Sequence, residues 1–160
     1  MKTIKIKLYD FKELPEDIQE KVINNLSDIN VDYDWWDFIY QDAKDIGLEI
    51  SSFDIYQKEI DGELIDSIDG IIKAIMKNHG KETDTYKLAE KYQAMYEKQG
   101  QDISDDLDEE WHIDFRHDLL ECYLSMLEKE CEYLESREAI IETIEANEYT
   151  FEADGTMRNY

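Results

Sequence analysis

The stretch that decides the fold is DYDWWDFIYQDAKDIG, residues 32–47. On a helix, this stretch places its apolar side chains in two lines, and both lines are aliphatic or aromatic. We therefore expect a helix that is buried on two sides, against a strand layer and against later helices. Gly47 is typical of a residue that ends a helix. The two lines lie about 100° apart on the helix, one made of Trp35, Ile39 and Ile46 and the other of Trp36, Tyr40 and Ala43.

The adjacent tryptophans lie among acidic residues, which allows two interpretations. Trp35 and Trp36 form either an aromatic binding surface surrounded by acids or two core anchors on a helix whose first turn is acidic. Rings that stack on nucleic-acid bases need basic neighbours for the phosphates, and none is present here. We favour core anchors, with Asp32 or Asp34 as the helix cap and the other acids complementing the helix dipole.

Alternating apolar and polar residues predict short strands on both sides of this helix. We predict an N-terminal strand in TIKIKLYDF, residues 3–11, and a central strand in LEISSFDIYQ, residues 48–57. The Asp61-Gly62 pair predicts the turn of a central hairpin. The tail EYTFEADGTMRN, residues 148–159, predicts a second hairpin around the Asp154-Gly155 pair.

The rest of the chain predicts helices, because its apolar residues recur every three or four positions. One Pro and six Gly in 160 residues leave few breaks in these segments. The predicted helices cover residues 13–26, 68–80, 83–100, about 105–135 and 137–147, the last of them capped by Ser136. The sequence therefore predicts a mostly helical α+β fold, a single domain over residues 1–160 with a small antiparallel sheet built from the N-terminal strand, the central hairpin and the C-terminal hairpin.

The charge of the chain is strongly negative and unevenly distributed. It contains 41 acidic and 17 basic residues, a net charge of −24. Residues 101–160 carry 19 of the acids and only 4 of the bases. Such a field opposes binding to nucleic-acid phosphates, to anionic lipid surfaces and to anionic nucleotides. The natural complement of this surface is a basic protein.

The longest predicted helix carries a row of carboxylates at steps of three or four residues, interrupted once at Ser125, which we call the acidic row. These steps place the carboxylates on one face, about 5–6 Å apart. Because phosphates along a nucleic-acid strand have a similar spacing, such a face can take the place of a nucleic-acid backbone. The alternative is that the row is the solvated outer face of an amphipathic helix. The row consists of Asp106, Glu110, Asp114, Asp118, Glu121, Glu128, Glu132 and Glu135.

The strongest candidate for a metal site is the set His112, Asp114, His117 and Glu121 on the same helix. His112 and His117 are five residues apart and so point to different sides, and the sequence lacks the HExxH, CxxC and calcium-loop patterns. It also lacks a phosphate-binding glycine loop and a nucleophile elbow. We therefore predict no metal, no cofactor and no enzymatic activity.

The cysteines and the hydropathy pattern favour a cytoplasmic protein. Cys122 and Cys131 are nine residues apart on one predicted helix, roughly 13 Å by helical rise, which is too far for a disulfide within that helix. We expect them to be reduced and partly buried. No signal peptide and no run long enough to span a membrane is visible in the sequence.

Three segments of the chain resemble a loose group of small proteins encoded by phages and prophages, whose function is unknown. The resemblance is carried by KIKLYDFKELPEDIQEKVINNL (residues 5–26), DINVDYDWWDFIYQDAKDIGLEISSFDI (28–55) and ANEYTFEADG (146–155). It implies a phage or mobile-element setting, and it implies no chemistry. Small acidic phage proteins often bind and disable a host machine.

Charge and resemblance together lead to the expectation of a non-enzymatic inhibitor of a basic host protein, such as a nucleic-acid-binding defence component, acting by nucleic-acid mimicry through the acidic row. An alternative is an antitoxin-like or regulatory protein that grips its partner through apolar grooves. A third hypothesis is a metal-dependent protein. Self-association as a homodimer is also possible, because the longest predicted helix has a wide apolar stripe. The stripe consists of Leu107, Trp111, Phe115, Leu119, Tyr123, Met126, Leu127 and Leu134.

Overall fold

The structure is a computed structural model that describes residues 1–98 and 109–158. Within those residues it contains six α-helices and five short strands in two antiparallel sheets, which confirms the predicted α+β, mostly helical class. In chain order the elements are β1 (Tyr9–Asp10), α1 (Glu16–Asn25), α2 (Asp37–Ile46), β2 (Leu48–Asp54), β3 (Glu59–Leu64), α3 (Ile68–Asn78), α4 (Asp84–Lys98), α5 (Glu109–Leu134), α6 (Arg137–Ala146), β4 (Thr150–Phe151) and β5 (Met157–Arg158).

The residues form two compact units. Met1–Trp35 and Glu130–Tyr160 make up the terminal unit, and Trp36–Lys129 makes up the central unit. The division passes between the two adjacent tryptophans, and α5 contributes residues to both units. The single domain over residues 1–160 stays a prediction.

The terminal unit is held together by an apolar core between α1, α6 and the three-stranded sheet β1-β4-β5. Phe11 meets Phe151 edge to face, with 6.4 Å between ring centroids, an arrangement that aromatic pairs favour. Ser136 caps α6 by accepting a hydrogen bond from the Ala139 N–H, as predicted. The buried core residues are Phe11, Leu14, Val22, Ile23, Ile140, Ile144 and Phe151.

The ends of the chain in this unit confirm one strand prediction and correct another. The tail forms the predicted hairpin β4–β5, and Gly155 takes the left-handed φ of 94° that its turn requires. The N-terminal strand is much shorter than predicted, because β4 offers only two residues for pairing with β1. Ile4 is therefore 82% exposed instead of half-buried.

The central unit begins with α2, whose start differs from the prediction. The helix begins at Asp37, and the residue in the cap position is Trp36, with no side-chain capping bond. The prediction that Asp32 or Asp34 caps the helix is therefore wrong, since the helix starts several residues beyond both. Asp37 does lie in the first turn, where it complements the dipole. Gly47 ends the helix in the left-handed conformation, as predicted.

The strand that follows pairs in a hairpin whose turn also differs from the prediction. β2 and β3 pair over Leu48↔Leu64 to Asp54↔Glu59, so the turn lies at residues 55–58 and not at the Asp61-Gly62 pair. Gly62 lies inside β3, opposite Ile50, next to a bulge in β2. A Cβ at position 62 would come within 2.6 Å of the Glu49 carbonyl oxygen. This glycine therefore allows close strand approach rather than a turn.

Helices α3, α4 and α5 supply the remaining core of the central unit. The apolar line of α3 is fully buried at Ile71, Ile72 and Ile75. Along α5, the predicted stripe is confirmed in part by Phe115, Leu119, Tyr123 and Leu127, all of which are fully buried. This burial leaves the opposite face of α5 for charged side chains.

Candidate functional site

The acidic row lies along the solvent side of α5. Glu110, Asp114, Glu121 and Glu132 are exposed, and the helix is continuous from Glu109 to Leu134. With 3.6 residues per turn, the row positions on α5 span an arc of about 80°. The structure therefore places most of the predicted row on one face, whereas Asp106 lies outside the described residues.

Two members of the row are half-buried, and a third, Glu135, is exposed but accepts a hydrogen bond within the chain. Asp118 is half-buried and accepts a hydrogen bond of 2.7 Å from the Tyr92 hydroxyl. Glu128 is also half-buried. Glu135 follows the last residue of α5 and accepts a bond of 2.9 Å from the Cys131 thiol. The free carboxylates of the row in the central unit are therefore Glu110, Asp114 and Glu121.

Basic side chains do little to offset this charge on α5 itself. The helix carries eight acids and two bases, Arg116 and Lys129. The Arg116 guanidinium lies 3.3 Å from a carboxylate oxygen of Glu63 on β3. Lys129 is exposed at the border of the row. The outer face of α5 therefore presents a negative surface.

Two buried tyrosines of the central unit donate hydrogen bonds to carboxylates. Tyr92 donates to Asp118, and Tyr123 donates to Oδ2 of Asp42 on α2 over 2.7 Å. Burial, and then the carboxylate that each phenol faces, raise the pKa of both tyrosines well above the ordinary value. Both phenols therefore stay protonated and act as donors that orient the carboxylates.

Asp42 has a second neighbour, His79, which follows α3. The ring nitrogen Nε2 lies 3.1 Å from the same Oδ2 atom, while Nδ1 lies at hydrogen-bond distance from Thr85 Oγ1. The His79 side chain is only 7% exposed. The His79 ring, and to a lesser degree the Tyr123 hydroxyl, hold the pKa of Asp42 below its ordinary value against the opposing effect of burial. Asp42 is therefore an ionised, oriented carboxylate.

A surface cavity of about 590 Å³ opens beside this carboxylate. Its apolar wall includes Phe38, which is 60% exposed, together with Ile39 and Met126. Its polar wall includes Asp42, Asp45 and His79. This combination of an apolar wall and a few oriented polar groups is typical of a binding site.

The sequence interpretation did not single out this cavity. Asp42 and Asp45 were two among 41 acids, and Tyr123 was assigned to an apolar stripe. One available signal was the phenol itself, because a buried tyrosine hydroxyl requires a hydrogen-bond partner.

The other candidate chemistry finds no support in the described residues. His112 and His117 are both exposed on α5. Among residues 1–98 and 109–158, no three His, Cys, Asp or Glu side chains are grouped so that they could hold a metal ion. Cys122 and Cys131 are free and half-buried, as predicted, and burial raises their pKa values to about 11 and about 12. Neither thiol is activated as a nucleophile.

The two tryptophans take the core role that the sequence favoured. Trp35 is 9% exposed. Trp36 is half-buried and meets Phe53 of β2 edge to face, with 5.4 Å between ring centroids. Tyr40, one turn along α2, meets the same Phe53 ring at 6.0 Å. Trp36 and Tyr40 therefore anchor α2 to the hairpin.

In the part of the chain that the structure describes, every helix is too short or too polar to cross a membrane. Comparison with known proteins finds no significant similarity: the chain fits no family model, and it matches no curated protein and no solved structure. Any assignment of function therefore depends on the residues and their geometry.

Proposed function

We propose that this chain is a non-enzymatic binding protein that attaches through carboxylates to a basic surface of another protein. The observation that carries the proposal is the exposed acidic face of α5, where Glu110, Asp114 and Glu121 face solvent on one side of a continuous helix. Lys129 is the exposed base on α5 near that face.

The energetics favour an electrostatic partner over a structural role for these charges. Like charges three or four residues apart on a helix destabilise it by a few tenths of a kcal/mol per pair. A basic partner removes that repulsion on binding. A net charge of −24 also steers a basic partner towards the chain and repels nucleic acid.

The target class follows from the spacing of the carboxylates. A protein that binds nucleic acid presents Lys and Arg at the spacing of phosphates. Of the exposed members of the acidic row in the central unit, Glu110 and Asp114 lie one helical turn apart, close to that spacing, and Glu121 lies two turns beyond Asp114. The resemblance to small phage and prophage proteins makes a host nucleic-acid-binding protein, such as a defence component, the proposed target. Inhibition would occur by occupation of its nucleic-acid groove, in the host cytoplasm.

A second candidate is an antitoxin-like or regulatory protein that holds its partner mainly by apolar contacts. It is favoured by exposed apolar side chains in the central unit, of which Phe38 is 60% and Ile113 is 47% exposed. On this hypothesis the charge serves solubility, and neutralising the acidic row leaves binding intact.

The test is a pull-down from host lysate with three baits. One bait is the unaltered chain, and the second, the row variant, carries Glu110→Gln, Asp114→Asn and Glu121→Gln. The third, the matched control, carries the same charge changes on exposed residues of the β2–β3 hairpin: Glu49→Gln, Glu59→Gln and Asp61→Asn. We expect the unaltered chain and the matched control to recover the same basic protein and the row variant to lose it.

Recovery of an acidic or neutral protein by all three baits would favour the apolar alternative. Recovery of no basic protein by the unaltered chain would refute the proposal. Circular dichroism of the three baits separates loss of binding from loss of fold, since all six substituted residues are exposed.

A further inference from the structure

The cavity beside Asp42 has walls of two kinds. Phe38 and Ile39 come from the start of α2 and Met126 from α5, and they form the apolar wall. Asp42 and Asp45 come from the later turns of α2, three residues apart and so on one helix face. An occupant that fits both walls needs a flat or apolar part and a positive charge.

Asp42 is oriented for such a charge. The Tyr123 hydroxyl and the His79 ring both approach Oδ2. Among the described residues, Oδ1 of Asp42 receives no hydrogen bond. On Asp45, Oδ1 accepts a bond of 2.8 Å from the Gln41 side chain, which is on the same helix. Each carboxylate is thus held by one oxygen and has the other available to a donor.

His79 adds a buried polar atom without a hydrogen bond. Its side chain is 7% exposed and lines the cavity. Nε2 lies 3.1 Å from Asp42 Oδ2 but is not aligned for a hydrogen bond, and it finds no other partner among the described residues. A hydrogen-bonding group in the cavity would supply the partner that this side of the site lacks.

We propose that this cavity receives an arginine side chain of the basic partner, with the guanidinium between Asp42 and Asp45 and its plane against Phe38. A guanidinium carries five N–H donors and no acceptor, which suits the available oxygens of the two carboxylates. Its plane stacks on aromatic rings more readily than an ammonium group does. The inference rests on the proposed function, because it assumes a partner that carries arginine.

The test is an NMR titration of the full, isotope-labelled chain with Nα-acetyl-arginine amide. The matched ligand is Nα-acetyl-citrulline amide, which has a similar shape and no charge. We expect the arginine ligand to shift resonances of Phe38, Asp42, Asp45 and His79 in a saturable way and the citrulline ligand to leave them unchanged. Equal shifts with both ligands, or shifts spread over exposed acids throughout the chain, would overturn the inference.

Three variants locate the binding. Asp42→Asn keeps an oxygen that accepts the Tyr123 hydroxyl, and Phe38→Ala removes an exposed ring, so both should fold. We expect Asp42→Asn to weaken arginine binding about tenfold, the usual loss for a hydrogen bond to a charged group, and Phe38→Ala to weaken it by a smaller factor. Asp114→Asn on α5 makes the same chemical change outside the cavity and should have no effect. Unchanged affinity in Asp42→Asn would contradict the inference.

The two proposals can fail separately. If the arginine ligand does not bind, but the unaltered chain still recovers a basic protein that the row variant loses, the cavity inference is wrong and the proposed function stands. If the ligand binds in the cavity, but no basic protein is recovered, the proposed function is wrong and the cavity remains an arginine site.

Discussion

Tyr123 on α5 and Asp42 on α2 are joined by a hydrogen bond of 2.7 Å from the buried phenol hydroxyl to Oδ2. This bond connects the interior side of the helix that carries the acidic row to the carboxylate of the cavity. The phenol is fully buried, so water cannot replace Asp42 as the acceptor of its hydroxyl if the bond is lost. The Tyr123–Asp42 pair therefore contributes both to the stability of the central unit and to the orientation of the carboxylate in the cavity.

Tyr123→Phe removes this donor with little change in shape. We expect the free energy of unfolding to fall by about 1.5–3 kcal/mol, the usual net value of a hydrogen bond to a charged group. Urea denaturation followed by circular dichroism measures the change. Tyr133→Phe is the control, because Tyr133 is exposed and bonds Glu142 at the surface; its effect should stay below about 0.5 kcal/mol. Equal effects of the two changes would contradict the account.

The stability contributed by Asp42 should be lost in acid. Its pKa in the folded chain is lower than the ordinary value of 3.8, chiefly because of the His79 ring. A lowered pKa stabilises the folded chain at pH values above 3.8, and this contribution disappears as pH falls through the folded value. The difference in unfolding free energy between the unaltered chain and Asp42→Asn should therefore shrink below about pH 4. A difference that stays constant from neutral pH to pH 3 would refute this assignment.

The opposite end of the pH scale tests the two buried phenols. Tyr92 and Tyr123 have pKa values raised above the ordinary 10.0, first by burial and then by Asp118 and Asp42. Both contributions are fully present below pH 10 and are lost at higher pH, where tyrosines of the unfolded chain release their protons first. Ultraviolet titration should show a group of tyrosines, Tyr92 and Tyr123 among them, that ionise only together with unfolding. Smooth ionisation of all tyrosines without loss of helical signal would be inconsistent with this.

Trp36→Ala tests the anchoring of α2 to the hairpin. The indole loses its contact with Phe53, which is 5.4 Å away between centroids, and a cavity remains. Because Trp36 is only half-buried, we expect a loss of about 2–3 kcal/mol, below the range for fully buried aromatic residues. Phe38→Ala, on the same helix with a 60% exposed ring, should cost less than about 1 kcal/mol. A melting curve unchanged by Trp36→Ala would remove the anchor role.

Gly62→Ala tests the close approach of the two hairpin strands. The added Cβ would lie 2.6 Å from the Glu49 carbonyl oxygen and 3.1 Å from the Ile50 Cα, and both are backbone atoms that cannot move away cheaply. We expect a loss of about 1–3 kcal/mol. In Gly80→Ala the nearest atoms belong to the flexible end of Glu82, so this control should change stability by less than about 1 kcal/mol. A neutral Gly62→Ala would show that the strands can separate at this point.

The sequence predicted the helices and the C-terminal hairpin turn, but it placed the turn of the central hairpin wrongly, for a physical reason. The predicted line of Trp35, Ile39 and Ile46 follows from helical spacing and is buried as expected. In the second line Ala43 is buried, whereas Trp36 and Tyr40 are half-buried. The Asp61-Gly62 pair satisfies the local requirements of a turn, but its glycine is used inside β3, where the partner strand comes too close for a side chain. The register in which β2 pairs with β3 decides between these roles, and the turn-forming residue types alone do not specify that register.

The two candidate sites also differ in whether the sequence could predict them. The acidic row could be predicted because one helix and its period define it. The cavity could not be predicted, because its polar side is built from three separate segments. Asp42 on α2 is contacted by His79, which follows α3, and by Tyr123 on α5. These residues are far apart in sequence and ordinary in type, so only the fold brings them together.

The most direct test of the central claim is the salt dependence of affinity for the basic protein recovered by pull-down. Isothermal titration calorimetry between about 0.05 M and about 0.5 M salt covers the range in which surface charges become screened. We expect the dissociation constant to rise steeply with salt for the unaltered chain and for the hairpin control, and the row variant to bind more weakly with a smaller slope. An affinity that is independent of salt, or a row variant that binds like the unaltered chain, would contradict the account.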